Sequence, residues 1–375
     1  MSERPILLSA GGTGGHLFPA EALAHALAAR GVAVELVTDE RALHYGSTFP
    51  AREMHTIPAA TPRGGSVVAR ALAVARLAKG TLEAVALLRR VRPRAVIGFG
   101  GYPTVPPLVA ASLLRIPTVL HEANGVMGKA NRFLAGRVDA IAAGLPNLSV
   151  ARALQHKVVV TGNPVRPNVI AASATPYPDF VDGKLRLLVT GGSQGARVMS
   201  DIVPQALAML PEDLRARIQL VQQARQEDIP RVADALARAK VKAEIAPFFP
   251  DLPARIAQAH FVIARSGAST VSELAVIGRP AMLVPLPHSL DQDQAANAAF
   301  LEQAGAAETV RQENFTPAFL SERLAQVMSA PEQLKERAQA ARRVGVADAS
   351  ERLADLLLGV AMQTGGEAPQ QRRQG

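Results

Sequence analysis

The chain of 375 residues is 48% hydrophobic and 19% charged, which describes a folded globular protein with room for two cores and excludes a disordered chain. It has no cysteine, so disulfides, thiolate nucleophiles and cysteine-ligated zinc are excluded and a reducing compartment is the natural fit. A net charge of +9 calls for an anionic partner; with aromatics at 4% and no tryptophan, nucleic acid is not expected, and anionic lipid or an anionic small molecule suits better.

The N-terminus, "MSERPILLSAGG", carries an acidic residue ahead of a short apolar run, and reads as a buried first strand rather than a signal peptide. A helix follows in "FPAEALAHALAARG", where Leu17, Ala20, Leu23, Ala24 and Leu27 form one apolar face and Gly31 is the stop. "VAVELVTD" is the next strand. After a longer helical stretch come strands "RAVIGFG", "IPTVLHE", "VDAIAA" and "HKVVVTG", with short helices between them. Near-continuous apolar strands separated by helices predict a parallel sheet covered on both faces. The most apolar stretch, "TVPPLVAASLLRIPTVL", is broken by Arg115 and prolines, so no membrane span is expected.

The pattern then restarts. "LRLLVTGGSQGARVMSDIVPQAL" repeats the opening order of apolar strand, glycine loop and helix, with Gly191 standing 180 residues after Gly11. Strands "RIQLVQQ", "KAEIAPF", "AHFVIARSG" and "RPAMLVPLP" follow. The proline-rich stretch "NPVRPNVIAASATPYPDFVDGK" reads as a linker, and "DASERLADLLLGVAM" as an amphipathic helix capped by Asp348 or Ser350. The expected architecture is α/β, with two Rossmann-like domains facing each other across a cleft. Residues 1–165 form the first domain, 166–345 the second, 346–362 the C-terminal helix and 363–375 a disordered tail.

A glycine loop between strand and helix lets backbone N–H groups approach an anion closely, so Gly11–Gly15 is expected to face a phosphate or a charged transition state. A nicotinamide enzyme is the rival reading. Asp39 stands at a suitable distance, but Leu17 occupies the place of the third glycine in G-x-G-x-x-G, and the doubled loop argues for two substrates, one held by each half. In "RSGASTVSELAVIG", Ser269 and Thr270 open a helix suited to a diphosphate, and Glu273 lies one turn on, where it can accept from ribose hydroxyls. Thr270 and Glu273 also have the spacing of a capping box.

"GGTGGHLFP", "GFGGYPT", "HEAN", "TGNPVR", "GGSQGA", "RSGASTVSE" and "DQDQAANA" occur in that order. Together they resemble the MurG family of bacterial glycosyltransferases, glycosyltransferase family 28, from about Ser9 to Met362. The resemblance implies the two-domain GT-B fold. It also implies inverting transfer of N-acetylglucosamine from UDP-N-acetylglucosamine to the C4 hydroxyl of an undecaprenyl-pyrophosphoryl muramyl-pentapeptide, at the cytoplasmic face of the inner membrane. It implies donor contacts at Thr13, Gly14, Gly15, Asn124, Arg166, Ser193, Phe249, Gln294 and the stretch Ala268, Ser269, Thr270, Val271, Ser272 and Glu273. Gly100, Gly101 and Tyr102 fall on the acceptor side. Two departures stand out: Ala123 replaces the glutamine of H-E-Q-N, and Phe249 stands where isoleucine is frequent.

His16, at the mouth of the first glycine loop, is the leading catalytic candidate, and Glu122 the second. The other histidines (His25, His44, His55, His156, His260 and His288) lack metal-ligand spacing and are expected at the surface or in packing. Asp291–Asp293 resembles a metal-binding D-x-D but opens a helix, where carboxylates cap. No protein-built metal site and no tightly bound cofactor are expected, while a divalent ion can assist diphosphate release. "RGGSVVARALAVARLAKG" intersperses Val67, Val68, Leu72, Val74 and Leu77 with Arg63, Arg70, Arg76 and Lys79, and suits an anionic membrane surface. Three alternatives stay open: a relative of the same fold, such as a glycolipid transferase or UDP-N-acetylglucosamine epimerase, a nicotinamide oxidoreductase, or a non-catalytic sugar-nucleotide binder.

Overall fold

The computed structural model describes residues 4–11, 14–39, 49–59, 67–180, 183–192, 195–287, 289 and 292–363. Strands β1 (Ile6–Ser9), β2 (Val34–Thr38), β3 (Glu53–Thr56), β4 (Ala95–Gly98), β5 (Thr118–Glu122), β6 (Ala140–Ala143) and β7 (Val158–Val160) form one parallel sheet, in the order β3-β2-β1-β4-β5-β6-β7. Strands β8 (Leu185–Thr190), β9 (Ile218–Gln223), β10 (Lys242–Ala246), β11 (Phe261–Ala264), β12 (Ala281–Leu283) and β13 (Ala307–Thr309) form a second, in the order β10-β9-β8-β11-β12-β13. The second half thus repeats the strand order of the first. In each sheet the order reverses beside the first strand, between β1 and β4 and again between β8 and β11, which opens a crevice at the carboxyl ends of those strands.

The central strands are buried on both faces, as their continuous apolar runs require. The helix Gly14–Ala29 covers one face of the first sheet through Leu17, Ala20, Leu23, Ala24 and Leu27. The helices Val67–Val91, Val105–Leu113 and Lys129–Leu134 cover the other face. The C-terminal helix Ala349–Gln363 returns to the first sheet, where Leu353, Ala354 and Leu357 are fully buried beside the first helix and Arg30 pairs with Glu351 and Asp355. The return crosses close to Gly162, whose φ is +81° and where an added Cβ would stand 2.7 Å from Val346. Among the described residues, no helix is long and apolar enough to cross a membrane.

Three elements depart from the sequence reading. The stretch taken as a linker holds a helix, Pro167–Ser173, begun by Pro167 at its first position and buried through Val169 and Ala172 in the second core. Tyr177 and Phe180 of the same stretch flank His260, with Phe180 stacked on its ring at 3.9 Å. The edge strands β3 and β13 are additions whose short, mixed-polarity sequences carry little period-two signal.

Candidate functional site between the two sheets

In the first half, the loops after β1, β4 and β5 meet around His16. Its Nδ1–H donates to the Gly11 carbonyl at 3.2 Å, which leaves Nε2 with a free lone pair. The imidazole lies against Gly100 and Gly101, whose φ values are +97° and +74°. An added Cβ at Gly100 would stand 3.2 Å from Nε2 and Cδ2, and one at Gly101 3.3 Å from Cε1, so only glycine admits the ring this closely. Burial lowers the His16 pKa, against opposing contributions from Glu122 and the Gly11 carbonyl, and the neutral ring is therefore favoured. His121 is fully buried, 5.3 Å between ring centroids from Phe99, and burial with the nearby His16 drops its pKa to about 3.

Glu122 is also buried, and both of its oxygens are taken. Oε1 accepts from the Asn124 N–H and from Asn124 Nδ2, each at 3.0 Å. Oε2 accepts from the Gly128 N–H at 3.0 Å and from Asn131 Nδ2 at 2.8 Å. Four donors on one carboxylate fold the HEAN turn around it, a geometry that suits an anchor better than a proton acceptor. The turn then reaches the second half. Asn297 Nδ2 donates to Asn124 Oδ1 at 3.0 Å and to the Ser266 carbonyl at 3.1 Å, while Asn297 Oδ1 accepts from the Gly125 N–H at 2.9 Å. Asn163 Nδ2 donates to Ser272 Oγ at 3.2 Å in a further bond between the halves.

Arg166 sits where the halves touch. Its guanidinium lies over the Phe18 ring at 4.1 Å, and Nη2 is 3.8 Å from Glu273 Oε1. Phe18 in turn packs on Gly14, where an added Cβ would come within 2.9 Å of the ring. Burial raises the Glu273 pKa to about 7, with Arg166 acting in the opposite sense. The helix Ala268–Ile277 has Gly267 as its N-cap, so Thr270 is its third residue and the capping-box reading does not apply. Ser269 and Thr270 are half-buried at the helix mouth. Val271, by contrast, puts its side chain in the core and donates its N–H to the Gly267 carbonyl. Gln294 Oε1 accepts from the Leu286 N–H at 3.0 Å. Phe249 is buried beneath the Arg255 guanidinium at 4.3 Å, while Phe248 is 64% exposed.

The structure therefore gathers His16, Gly14, Gly15, Gly100, Gly101, Tyr102, Glu122 and Asn124 on one side, and Arg166, Ala268–Glu273, Phe249 and Gln294 on the other. Thr13 and Ser193 lie outside the described residues, as do Arg63, His44, His288 and Asp291. Asp293 Oδ1 accepts from the Gln294 N–H at the start of the helix Asp293–Gln303. His55 departs from expectation. It lies with Glu35 and Glu53 at the edge of the first sheet, their ligand atoms within 4.8 Å of one another. Arg52 and His55 both pair with Glu35, so the cluster satisfies its own charges. The sequence reading missed Asn131 and Asn297. Asn297 has a signal, since it shares a buried helical face with Leu301 four residues on, and an asparagine there needs partners.

Residues 6–143 match the glycosyltransferase family 28 N-terminal domain, and residues 186–353 match its C-terminal domain. The chain belongs to glycosyltransferase family 28. Within the family it is 56% identical over 362 residues to the UDP-N-acetylglucosamine--N-acetylmuramyl-(pentapeptide) pyrophosphoryl-undecaprenol N-acetylglucosamine transferase of Methylobacterium nodulans, covering 96% of this chain and 97% of that one. The transferase of the same name from Brucella suis is 56% identical over 358 residues, covering 95% and 94%. The crystal structure of Acinetobacter baumannii MurG aligns with a TM-score of 0.77 at 29% identity, over 95% of this chain and 99% of that one. The family 28 fold is GT-B. The UDP-GlcNAc 2-epimerase of Neisseria meningitidis shares that fold at a TM-score of 0.65 with 16% identity, over 94% of this chain and all of that one.

Proposed function

We infer that the protein transfers N-acetylglucosamine from UDP-N-acetylglucosamine to the C4 hydroxyl of undecaprenyl-pyrophosphoryl-N-acetylmuramyl-pentapeptide, the step from lipid I to lipid II in peptidoglycan synthesis. The observation that carries this reading is identity above one half, along nearly the whole chain, with transferases of that name. The transfer is an inverting displacement at the anomeric carbon. The acceptor oxygen bonds to that carbon as its bond to the β-phosphate oxygen breaks. The electron pair leaves with UDP, and the hydroxyl proton passes to a base.

His16 Nε2 is that base. The Gly11 carbonyl fixes the tautomer, and burial keeps the ring neutral and able to accept a proton near neutrality. Glu122 shapes the HEAN turn that presents Asn124 to the donor sugar. Arg166 and the loop Gly191–Gly195 meet the diphosphate, and Glu273 accepts from the ribose. A divalent cation would assist release of the diphosphate, and no dedicated protein-built site is expected for it.

The enzyme works as a peripheral protein on the cytoplasmic face of the inner membrane. The helix Val67–Val91 supports this reading, with Leu72, Val74 and Leu82 each more than half exposed on a basic helix. Binding to anionic vesicles is expected to weaken in high salt, and salt-insensitive binding would contradict the electrostatic part. The function itself is tested by UDP release with and without the lipid-linked acceptor. Acceptor-dependent release is expected. Release or epimerisation indifferent to acceptor would overturn the assignment.

A further inference from the structure

Gln223 ends β9 beneath the nucleotide half, and its buried side chain bonds two loops at once. Oε1 accepts from the Thr190 hydroxyl at 2.9 Å and from the Gly191 N–H at 3.0 Å. Nε2 donates to the Gly192 carbonyl at 2.9 Å and to the Pro247 carbonyl at 3.1 Å. A primary amide offers two hydrogens and two lone pairs, so this one is saturated. Three partners belong to the end of β8 and the glycine loop that follows it. The fourth directly precedes Phe248 and Phe249. The neighbouring Gln222 makes the contrast: its Nε2 donates to the Met199 carbonyl at 3.3 Å and its Oε1 has no hydrogen-bond partner.

The glycine loop needs support from outside. An added Cβ at Gly191 would stand 2.2 Å from the Ala196 nitrogen, and Gly192 and Gly195 have φ of +82° and +69°. Residues this free in conformation do not hold a loop in one shape by themselves. A neutral amide suits the support, because it supplies donors to two carbonyls where a carboxylate would be repelled both by them and by a diphosphate.

We propose that Gln223 is a positioning residue that sets the spacing between the glycine loop meeting the diphosphate and the loop from Pro247 to Phe249, where the backbone at Phe249 would read the uracil edge, so that both ends of one uridine diphosphate are held together. The proposal rests on the donor-site reading above. A ligand with two anchored ends gains affinity only while its two sites keep their separation. Loosening the tether therefore costs the two-ended ligand more than it costs a fragment seated in one loop.

Calorimetric titration of the full chain with UDP and with uridine tests this. Gln223→Met keeps the side-chain length and removes all four bonds. UDP affinity is expected to fall at least about tenfold and uridine affinity less than about threefold, the scale of one or two lost hydrogen bonds. Thr190→Val leaves the backbone intact and removes the hydroxyl that donates to Gln223 and accepts from the Gly192 N–H at 3.4 Å; it is the second variant and serves if Gln223→Met does not fold. It is expected to weaken UDP by about threefold with uridine unchanged. Equal losses for the two ligands, as a general structural defect would give, overturn the proposal, and so does unchanged UDP affinity. A wild-type chain that binds neither ligand overturns the donor-site reading and the proposal with it. Wild-type binding retained in both variants overturns this proposal alone.

Discussion

The two glycine loops occupy equivalent places in two sheets of the same strand order, yet different chemistry holds them. Around the first loop the fixing groups are titratable: His16 lies on Gly100 and Gly101, and the Glu122 carboxylate folds the adjoining turn. Around the second the fixing group is the neutral amide of Gln223. Under the proposed function, the comparison points to a division of labour in which proton transfer would fall to the first half and retention of a charged nucleotide to the second. Arg166 joins the two, stacked on Phe18 of the first half and facing Glu273 of the second.

The comparison can be broken most severely at Glu122. Glu122→Ala strips the acceptor from four donors, three of them in the turn itself, and is expected to lower unfolding free energy by at least about 3 kcal/mol. Urea unfolding measures this, and a loss under about 1 kcal/mol would show that the turn stands without its anchor.

A smaller effect sharpens the other half. The Glu273 pKa of about 7 lies above the ordinary carboxyl value of 4.5, so the folded protein favours the neutral form. The sign follows from linkage: this group leaves stability untouched well below pH 4.5 and lowers it as pH rises from there through about 7. Glu273→Gln should therefore be stabilising on the alkaline side. If the ionised form accepts from ribose, wild-type uridine affinity rises by about tenfold between pH 6 and pH 8, and the Gln variant shows no such rise. Titration with uridine, which carries no phosphate of its own to ionise, checks both. A flat wild-type profile would remove the carboxylate from ribose recognition.

The fold was legible wherever burial enforces a pattern. The apolar runs of β1, β4, β5 and β8 and the face from Leu17 to Leu27 read directly, because a doubly covered parallel strand admits little else. The helix Pro167–Ser173 was hidden because prolines open helices as readily as they mark linkers. The docking of Leu353 and Leu357 on the first sheet is a long-range contact that no local period records. At the site, His16 and the glycine loops announce themselves by residue type. Asn131 and Gln223 do not, since an amide gains its role only from the partners that tertiary structure brings to it, and Asn297 shows itself only by its place on the buried helical face of Leu301.

The most direct test of the division of labour is His16→Ala, measured for turnover with the lipid-linked acceptor and for UDP affinity in the same preparation. Loss of a general base predicts a fall in kcat of about 10²- to 10⁴-fold, with the UDP dissociation constant changed less than about twofold. An unchanged kcat, or a loss carried wholly by weaker UDP binding, would contradict it.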